Sequence, residues 1–370
     1  MNYFMVFLFI TFITTSLYIH HVRSNAVSAM FTQMESVLES ENGGTNIFLK
    51  LTANIPPTEA DIWAKFQQFV RVYGKIYQSE EEVIHRYQVY KQNLAEAEIL
   101  QKNDDGTAEF GETKFSDLTH EEFKKIYLKG IHSTSPSKDM PQPKYEQDFE
   151  IPSHYDWRDK VKVGKIKDQD VPVSTGCCYA FCLIAIVESM VAIKHNTSVP
   201  VLSEQQVVDC TKGDCKYGGD PWVSAGQLIN SSGIMAADVY PYTGKKKECR
   251  SKHKPILAKI TARNLVPRDE DQMAKALVAH GPLSIAMCGS PIQYYKRGVF
   301  KPKDQEHCAI NHGVDIVGFG TTTIRGIDNE PYWVIRNSWG VGFGEEGYMR
   351  LYRGKNYLKV THKPFYVEVE

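Results

Sequence analysis

A cysteine, a histidine and an asparagine occur in that order in the second half of the chain, each within a distinctive short run. Cys178 begins the run Cys-Tyr-Ala-Phe, His312 lies in Asn-His-Gly, and Asn337 begins Asn-Ser-Trp-Gly. His312 follows Cys178 by about 130 residues, a spacing known for nucleophilic cysteines and their distant bases. Residues so far apart can act together only when a large fold brings them to one place. The three runs therefore predict a sizeable domain organised around one reactive thiol.

The chemistry of these side chains indicates acyl transfer. The apolar segment from Cys178 to about His195 predicts a buried helix, and a helix N-terminus favours thiolate over thiol, as does a nearby imidazolium. His312 could then protonate the leaving amine and activate water, while the side-chain oxygen of Asn337 orients its ring. Gln169 is the upstream amide placed to join the Cys178 N–H in stabilising an oxyanion. Together these roles describe peptide-bond hydrolysis without a cofactor.

Each of these residues also has an ordinary structural explanation. A cysteine at a helix start is usually a packed small hydrophobe, and Asn-Ser before Trp-Gly is usually a turn. Metal binding by His307, Cys308 and His312 is a further alternative, but their spacing matches no closed zinc site. The agreement of three runs with their flanks favours catalysis, and we expect no metal.

The N-terminal residues predict entry into the secretory pathway. Tyr3 to Ile19 is almost uniformly apolar, so residues 1–24 have the features of a cleaved signal peptide. An uncleaved signal anchor is the alternative, because the run could nearly span a bilayer and no basic segment precedes it. Acceptor sequons at Asn196 and Asn230 agree with this route and predict glycosylation. The lysosome and the extracellular space are equally open as destinations.

Cysteine usage and charge narrow the class of protein further. All eight cysteines lie beyond residue 176, as suits disulfide bonding in an oxidising compartment. With Cys178 reserved as nucleophile an odd number is left, so at least one more cysteine lacks an intramolecular partner. The formal net charge of −1 at pH 7 argues against nucleic acid as a partner, since phosphate binding needs a basic face. We expect a monomer.

Residues 62–129 predict a helical region. Two apolar stripes recur at helical spacing, and they consist of Trp63, Phe66, Phe69 and Val70, followed by Val83, Tyr87, Tyr90, Leu94 and Ala97. Thr119 and Glu122 have the spacing of a capping box at the start of another helix, whereas residues 110–117 favour a strand or turn.

A polar segment separates this helical region from the rest of the chain. Residues 131–147 are rich in Ser, Pro and Lys, and predict an exposed, cleavable linker. Apolar, β-branched segments separated by glycine then predict strands at 282–287, 314–319 and 332–335.

The runs around Cys178, His312 and Asn337 resemble those of the papain-like cysteine peptidases, and the resemblance covers nearly everything from about residue 60 to the C-terminus. It implies an α+β papain-like two-lobed fold, with a helical lobe and an antiparallel β-barrel-like lobe, acting as an endopeptidase. The markers that carry it are Asp156-Trp157-Arg158, Lys167-Asp168-Gln169, Cys178-Tyr179-Ala180-Phe181, Leu202-Ser203-Glu204-Gln205, Val208-Asp209-Cys210, Gly218-Gly219, Tyr240-Pro241-Tyr242, Gly281-Pro282, Asn311-His312, Gly318-Phe319-Gly320, Tyr332-Trp333 and Asn337-Ser338-Trp339-Gly340.

The upstream half is similar to the inhibitory propeptide of this family, in the variant typical of cathepsins F and W. The two propeptide motifs consist of Glu82, Arg86, Tyr90, Asn93, Ala97 and Gln101, and of Gly111, Thr113, Phe115 and Asp117. The resemblance implies a zymogen with a signal peptide at 1–24, a propeptide at 25–150 and a peptidase domain at 151–370. The propeptide would comprise an inhibitor-like helical domain at about 60–120 and a linker at 130–150.

The resemblance also assigns substrate contacts. Gly218 and Gly219 should bind the substrate backbone, Pro221, Trp222, Leu283 and Gly313 should border the second specificity pocket, and Trp339 should shield the His312–Asn337 hydrogen bond. These walls imply an aliphatic or aromatic preference, although plain core packing is an equal explanation for Trp222. The expected partners are peptide or protein substrates, the chain's own propeptide as inhibitor, and cystatin-type inhibitors.

Two departures from the family pattern leave alternatives open. Residues 170–175 make the loop between Gln169 and Cys178 longer than usual, which weakens the oxyanion assignment. The family's cysteine before the nucleophile is replaced by Thr175. The resemblance implies a Cys210–Cys249 disulfide; a Cys177–Cys215 bond is a hypothesis, Cys308 has no partner downstream, and Cys182 is expected to be a buried thiol. A catalytically weak homologue that binds peptides or proteases is the alternative, and a freestanding inhibitor is a third.

Overall fold

The computed structural model describes residues 44–129, 131, 149–171, 176–251, 255–303 and 309–370. The predicted signal peptide and most of the predicted linker lie outside these residues. Within the described ranges, no helix is both long and apolar enough to cross a bilayer. The chain forms two compact units that divide between Gln88 and Val89.

The elements follow the order expected from the sequence. The helices are α1 (Gly44–Thr52), α2 (Ala60–Val72), α3 (Glu80–Lys102), α4 (His120–Tyr127), α5 (Cys178–Lys194), α6 (Glu204–Cys210), α7 (Pro221–Ile229) and α8 (Glu270–Ala279). The strands are β1 (Glu109–Phe110), β2 (Tyr155–Asp156), β3 (Ile260–Leu265), β4 (Leu283–Met287), β5 (Tyr295–Arg297), β6 (Val299–Phe300), β7 (His312–Ile324), β8 (Ile327–Arg336), β9 (Tyr348–Tyr352) and β10 (His362–Val369). Short 3-10 turns occur at Pro57–Glu59, Ser290–Tyr294 and Tyr357–Lys359.

The first unit is held by aromatic packing. The stripe of α2 buries Trp63, Phe66 and Phe69, and the ring of Trp63 meets that of Tyr87 edge-on at 4.9 Å between centroids. The Tyr87 hydroxyl donates to a carboxylate oxygen of Glu59 at 2.7 Å. Aromatic pairs of this kind contribute about 0.5–1.5 kcal/mol beyond their burial. The predicted stripe of α2 therefore packs with Tyr87 of α3 in the core of this unit.

The second unit is built on one largely antiparallel sheet. Its strands lie in the order β3-β10-β4-β7-β8-β9-β6, with β2 added against β7. The long strands β7 and β8 pair through most of their length, and β6 joins β9 in parallel. The predicted strands at 282–287, 314–319 and 332–335 are thereby confirmed as the centre of this sheet.

Helix α5 fixes the position of the reactive thiol. Its residues from Cys178 to Ala192 are all buried, because the helix packs against β7 and β10 on one side and α6 and α7 on the other. A helix that is apolar on every face belongs in a core. The fold therefore holds Cys178, at its first turn, with little freedom to move.

Candidate active site

Cys178 lies at the N-terminus of α5, directly after the N-cap residue Cys177. The side chain is 1% exposed. Its sulfur accepts a hydrogen bond from the backbone N–H of Gly313 at 3.4 Å. The sheet residue that follows His312 therefore touches the thiol, and the fold brings the first two predicted site residues to one place.

His312 is held by Asn337 and Trp339. Its Nε2 lies 2.8 Å from Oδ1 of Asn337, and its ring stacks on that of Trp339 with centroids 4.6 Å apart. The same Asn337 oxygen accepts from the backbone N–H of Ser338 at 2.8 Å, which fixes the amide orientation. Because Asn337 Oδ1 acts as acceptor, Nε2 carries the proton and the basic lone pair of a neutral ring lies on Nδ1. Within the described residues that Nδ1 has no hydrogen-bond partner.

Burial determines the charges of the thiol and the imidazole. It raises the pKa of Cys178 from 9.0 to about 11, although hydrogen bonds from Gly313 and Tyr179 oppose the shift. It lowers the pKa of His312 from 6.5 to about 4, against the opposing hydrogen bond with Asn337. In this structure the pair is therefore a neutral thiol and a neutral imidazole, and not the ion pair expected for an active nucleophile.

Gln169 is buried beside this group. Its side-chain oxygen accepts from the Ser338 hydroxyl at 2.7 Å, and its backbone N–H donates to the Ser338 carbonyl at 2.9 Å. An amide whose oxygen is held in this way turns its NH₂ group away from Ser338. Ser338, which orients Gln169, was not among the predicted site residues. The position of Ser338 in the Asn-Ser-Trp-Gly run was the signal that could have identified it. Residues 172–175 of the longer loop lie outside the described residues.

The segment after α4 covers these residues. Leu128 Cδ2 would lie 2.5 Å from a Cβ built on Gly289, and a Cβ on Gly176 would meet Lys129 at 2.4 Å. Ile131 Cδ1 would lie 3.5 Å from a Cβ on Gly313. Leu128 and Ile131 are 5% and 7% exposed. This segment therefore passes from the N-terminal side of Cys178 to the strand that carries His312, and it excludes water from both.

An aromatic group anchors that segment. Phe115, Phe123 and Tyr127 surround Trp339, with ring centroids 5.3, 5.4 and 5.6 Å from it. The ammonium of Lys114 donates to the Trp339 carbonyl at 2.8 Å. The predicted capping box of α4, which carries two of these rings, is present. Packing against Trp339 thus holds the covering segment next to His312.

The residues expected to bind substrate lie on α7, just before α7, and on β4. Gly219 packs against the Tyr179 ring so closely that an added Cβ would lie 2.8 Å from it. Pro221 is the first residue of α7. Trp222 is buried and packs edge-on against Phe365 at 5.5 Å. Leu283 is also buried, on β4, and pairs with Ile316.

Two charged residues next to these expected substrate-binding residues were not among the predicted site residues. Asp220 caps α7, and its carboxylate accepts a hydrogen bond from the ammonium of Lys363 on β10 at 2.5 Å. Asp220 could have been found as an N-cap signal, because it directly precedes a proline that opens a helix. No local signal identified Lys363.

The disulfides have the expected pairing. Cys210 is bonded to Cys249 and Cys177 to Cys215. Cys182 is a free, buried thiol. Cys288 is also disulfide-bonded, and its partner lies outside the described residues. The described residues contain no group of three or more His, Cys, Asp or Glu side chains that could hold a metal ion.

Comparison with known families decides the class of protein. Residues 151–368 match the model of the papain family cysteine protease. The chain belongs to the papain family. Residues 66–123 match the cathepsin propeptide inhibitor domain, I29. This member of the papain family is therefore a cysteine endopeptidase made with an inhibitory propeptide, that is, as a zymogen.

Named relatives agree with the cathepsin F and W resemblance. The chain is 33% identical to cathepsin W of Mus musculus over 342 residues, covering 86% of this chain and 90% of that protein. It is 35% identical to cathepsin F of Mus musculus over 326 residues, covering 86% of this chain and 68% of that protein. Among solved structures, a recombinant stem bromelain precursor matches with a TM-score of 0.74 at 30% identity, covering 84% of this chain and 99% of that one. The predicted papain-like fold is thus confirmed.

Proposed function

We propose that this papain-family zymogen hydrolyses peptide bonds through Cys178 as nucleophile, His312 as acid and base, and Asn337 as the residue that orients the imidazole. The proposal rests on two hydrogen bonds made by adjacent residues of β7. His312 Nε2 lies 2.8 Å from Asn337 Oδ1, and the backbone N–H of Gly313 donates to Cys178 Sγ at 3.4 Å. Gln169, held by Ser338, would donate to the oxyanion together with the N–H of Cys178.

Removal of the propeptide would change the charges of the pair. The shifts in both pKa values arise mainly from burial, and Leu128 and Ile131 contribute to that burial. Admitting water and substrate to the cleft relieves this penalty on charged forms. The helix N-terminus then favours a thiolate that is paired with imidazolium. Maturation within residues 131–151 would therefore both open the cleft and activate the nucleophile.

The route and the partners of the enzyme form part of the proposal. We place the signal peptide at 1–24, the propeptide at 25–150 and the peptidase at 151–370, acting as a monomer in the lysosome or outside the cell. Asn196 and Asn230 are both exposed, as glycosylation requires. Cystatin-type inhibitors would bind the open cleft. The second specificity pocket would prefer an aliphatic or aromatic side chain, because the residues expected to border it are largely apolar.

The alternative of a catalytically weak, peptide-binding homologue is not favoured. It drew support from the longer loop and the altered cysteines. Cys177 has a disulfide partner in Cys215, however, and Gln169 is buried in contact with Ser338. With both departures present, His312 still bonds Asn337 and the N–H of Gly313 still bonds the Cys178 sulfur.

The assignment of the nucleophile can be tested by replacing each of two neighbouring cysteines in turn. The Cys178→Ala and Cys182→Ala proenzymes would be matured by an added aspartic protease, so that maturation does not depend on the chain's own activity. Hydrolysis of denatured casein should fall to background in the first variant. It should persist in the second, because Cys182 is a buried free thiol one helical turn away. Casein hydrolysis that survives in Cys178→Ala would refute the assignment.

A further inference from the structure

Two neighbouring loops that take no part in the reaction described above are rich in lysine and arginine. The loops consist of residues 211–217 and 244–250. The Lys246 ammonium joins them, because it donates to two backbone carbonyls of the first loop at 2.5 and 2.8 Å. The Cys210–Cys249 disulfide connects the same two parts of the chain. The positions of the two loops are therefore fixed relative to each other.

Positive charge is concentrated on these loops. Six cations and two carboxylates give them a formal charge of +4, whereas the whole chain has a net charge of −1. In the described part of the chain, none of the five cations other than Lys246 forms an ion pair with a carboxylate. These five side chains are all exposed and together form the cationic surface, which consists of Lys212, Lys216, Lys245, Lys247 and Arg250. An unpaired cluster of one sign attracts ligands of the other sign.

The cationic surface adjoins the run that is expected to bind the substrate backbone. Asp214 and Gly218 exchange two backbone hydrogen bonds, at 3.0 and 2.9 Å. The Asp214 carboxylate accepts from the backbone N–H groups of Lys216 and Tyr217, each at 2.7 Å, so this carboxylate is engaged within its own loop. The turn that holds Lys216 therefore leads directly into Gly218 and Gly219.

The covering segment shows that a chain lying over the thiol reaches this surface. A Cβ built on Gly176, two positions before the nucleophile, would meet the Lys129 side chain at 2.4 Å. Burial is the main cause of the lowered pKa of Lys129; Lys125 and Lys216 lower it further, whereas Asp214 opposes them. The propeptide thus places positive charge next to the cationic surface. A bound chain with carboxylates at this place would replace that repulsion by attraction.

We propose that the cationic surface binds an acidic segment of a protein substrate, on the N-terminal side of the residue that enters the second specificity pocket. This inference rests on the proposed function, in which Gly218 and Gly219 hold the substrate backbone. Single exposed charge pairs contribute little in water, so a run of carboxylates is favoured over one. The position of Lys129 next to Lys216 favours a peptide chain over a sulfated polysaccharide as the polyanion.

The test compares two fluorogenic peptides that differ only in three residues upstream of a shared leucine. One peptide has three glutamates there and the other has three glutamines, and the assay is run at about pH 6, where glutamate is ionised. The kcat/KM of the acid-matured enzyme should be roughly threefold to tenfold higher for the glutamate peptide at low salt. The difference should lie in KM, because these contacts stabilise the bound substrate and the transition state alike. It should shrink in about 0.5 M NaCl, since salt screens exposed charges. Equal or lower kcat/KM for the glutamate peptide at low salt overturns the inference.

A pair of charge-removing substitutions shows whether the cationic surface sets the preference. Lys212→Gln combined with Lys216→Gln should reduce the preference for the glutamate peptide and leave kcat on the glutamine peptide unchanged. The matched control combines Lys165→Gln with Lys355→Gln, which removes the same charge from exposed positions outside the two loops. Lys246 is left unaltered because it joins the loops. An equal loss of preference in both double variants would show a general effect of net charge and overturn the role of the cationic surface.

Binding without turnover separates this inference from the function on which it rests. A Cys178→Ser protein, matured by an added aspartic protease, should bind the fluorescently labelled glutamate peptide several-fold more tightly than the glutamine peptide, as measured by anisotropy. Such binding together with an unaltered matured enzyme that hydrolyses neither peptide would refute the proposed function and support the cationic surface as a peptide site. Retention on immobilised heparin without any preference between the two peptides would identify a sulfated polysaccharide as the ligand and overturn the inference.

Discussion

At the scale of single residues, burial disfavours the charged forms of the proposed catalytic pair, Cys178 and His312. Cys178 and His312 are 1% and 0% exposed in the proenzyme. Each pKa shift disfavours the charged form, and desolvation is the first cause of both. One unit of pKa corresponds to about 1.4 kcal/mol. A neutral thiol is a poor nucleophile, so we expect the proenzyme to be inactive for this reason as well as through steric cover.

The lowered pKa of His312 makes the stability of the proenzyme depend on pH. An unfolded histidine binds a proton near pH 6.5, whereas folded His312 does so only near 4. The folded state gains stability from this difference above pH 6.5, and it loses that gain as pH falls through about 4. Roughly 3 kcal/mol is involved, because the shift spans more than two units.

Thermal unfolding tests this dependence. In a Cys178→Ser background, which prevents self-processing, His312→Gln should flatten the fall of Tm between pH 6.5 and 4. The exposed His195→Gln serves as control and should leave that fall unchanged. Equal slopes of Tm against pH in the His312→Gln and His195→Gln variants would show that His312 is protonated in the folded proenzyme.

At the scale of elements, we propose that the residues from Phe115 to Lys129, with Ile131, are the inhibitory part of the propeptide. Its aromatic side chains pack on Trp339, which itself stacks on His312. Lys114 adds a hydrogen bond to the Trp339 carbonyl and an ion pair with Asp168 at 3.3 Å. The ion pair is partly exposed and contributes little, so apolar packing carries most of the attachment.

Weakening this packing should release the inhibition earlier during acidification. Phe115→Leu removes an aromatic contact at a site 1% exposed, and such core changes cost about 1–3 kcal/mol. We expect the variant proenzyme to mature at a higher pH than the unaltered one, as followed by gel. Phe319→Leu is the matched control, since Phe319 is equally buried and packs on Trp333 instead. Maturation at the same pH in both variants would argue against Phe115 as an anchor.

The sequence predicted these elements where local rules operate. The stripes of α2 and α3, the capping box of Thr119 and Glu122, and the buried helix beginning at Cys178 follow from spacing within one segment. Lys363 could not be found in this way. Its position depends on a register shift in β10 and on a left-handed φ, which are properties of strand pairing across the whole sheet.

At the scale of the whole molecule, the fold joins segments that are remote in sequence. Lys167 donates to Glu188 on α5 at 2.6 Å and to Glu204 on α6 at 2.5 Å. Two residues later, Gln169 contacts Ser338 of the C-terminal region. Sequence motifs contained Lys167, Gln169, Glu204 and Ser338 but not Glu188. Which of their atoms meet depends on the sheet and on α5 together. The order of domains was predictable, whereas the neutral charge of the proenzyme site was not, since it depends on burial by residues more than 40 positions upstream of Cys178.

We propose that one chain carries both a Cys178 site able to hydrolyse peptide bonds and the segment that covers this site and keeps Cys178 and His312 uncharged. Labelling of the purified proenzyme with an epoxysuccinyl peptide probe, before and after incubation at about pH 4–5, tests it directly. Protonation of carboxylates in that range weakens the ion pairs of the folded proenzyme. We expect the probe to label the protein only after acid processing, and not to label a Cys178→Ser control. Processing without labelling, or labelling of the intact proenzyme at neutral pH, would contradict it.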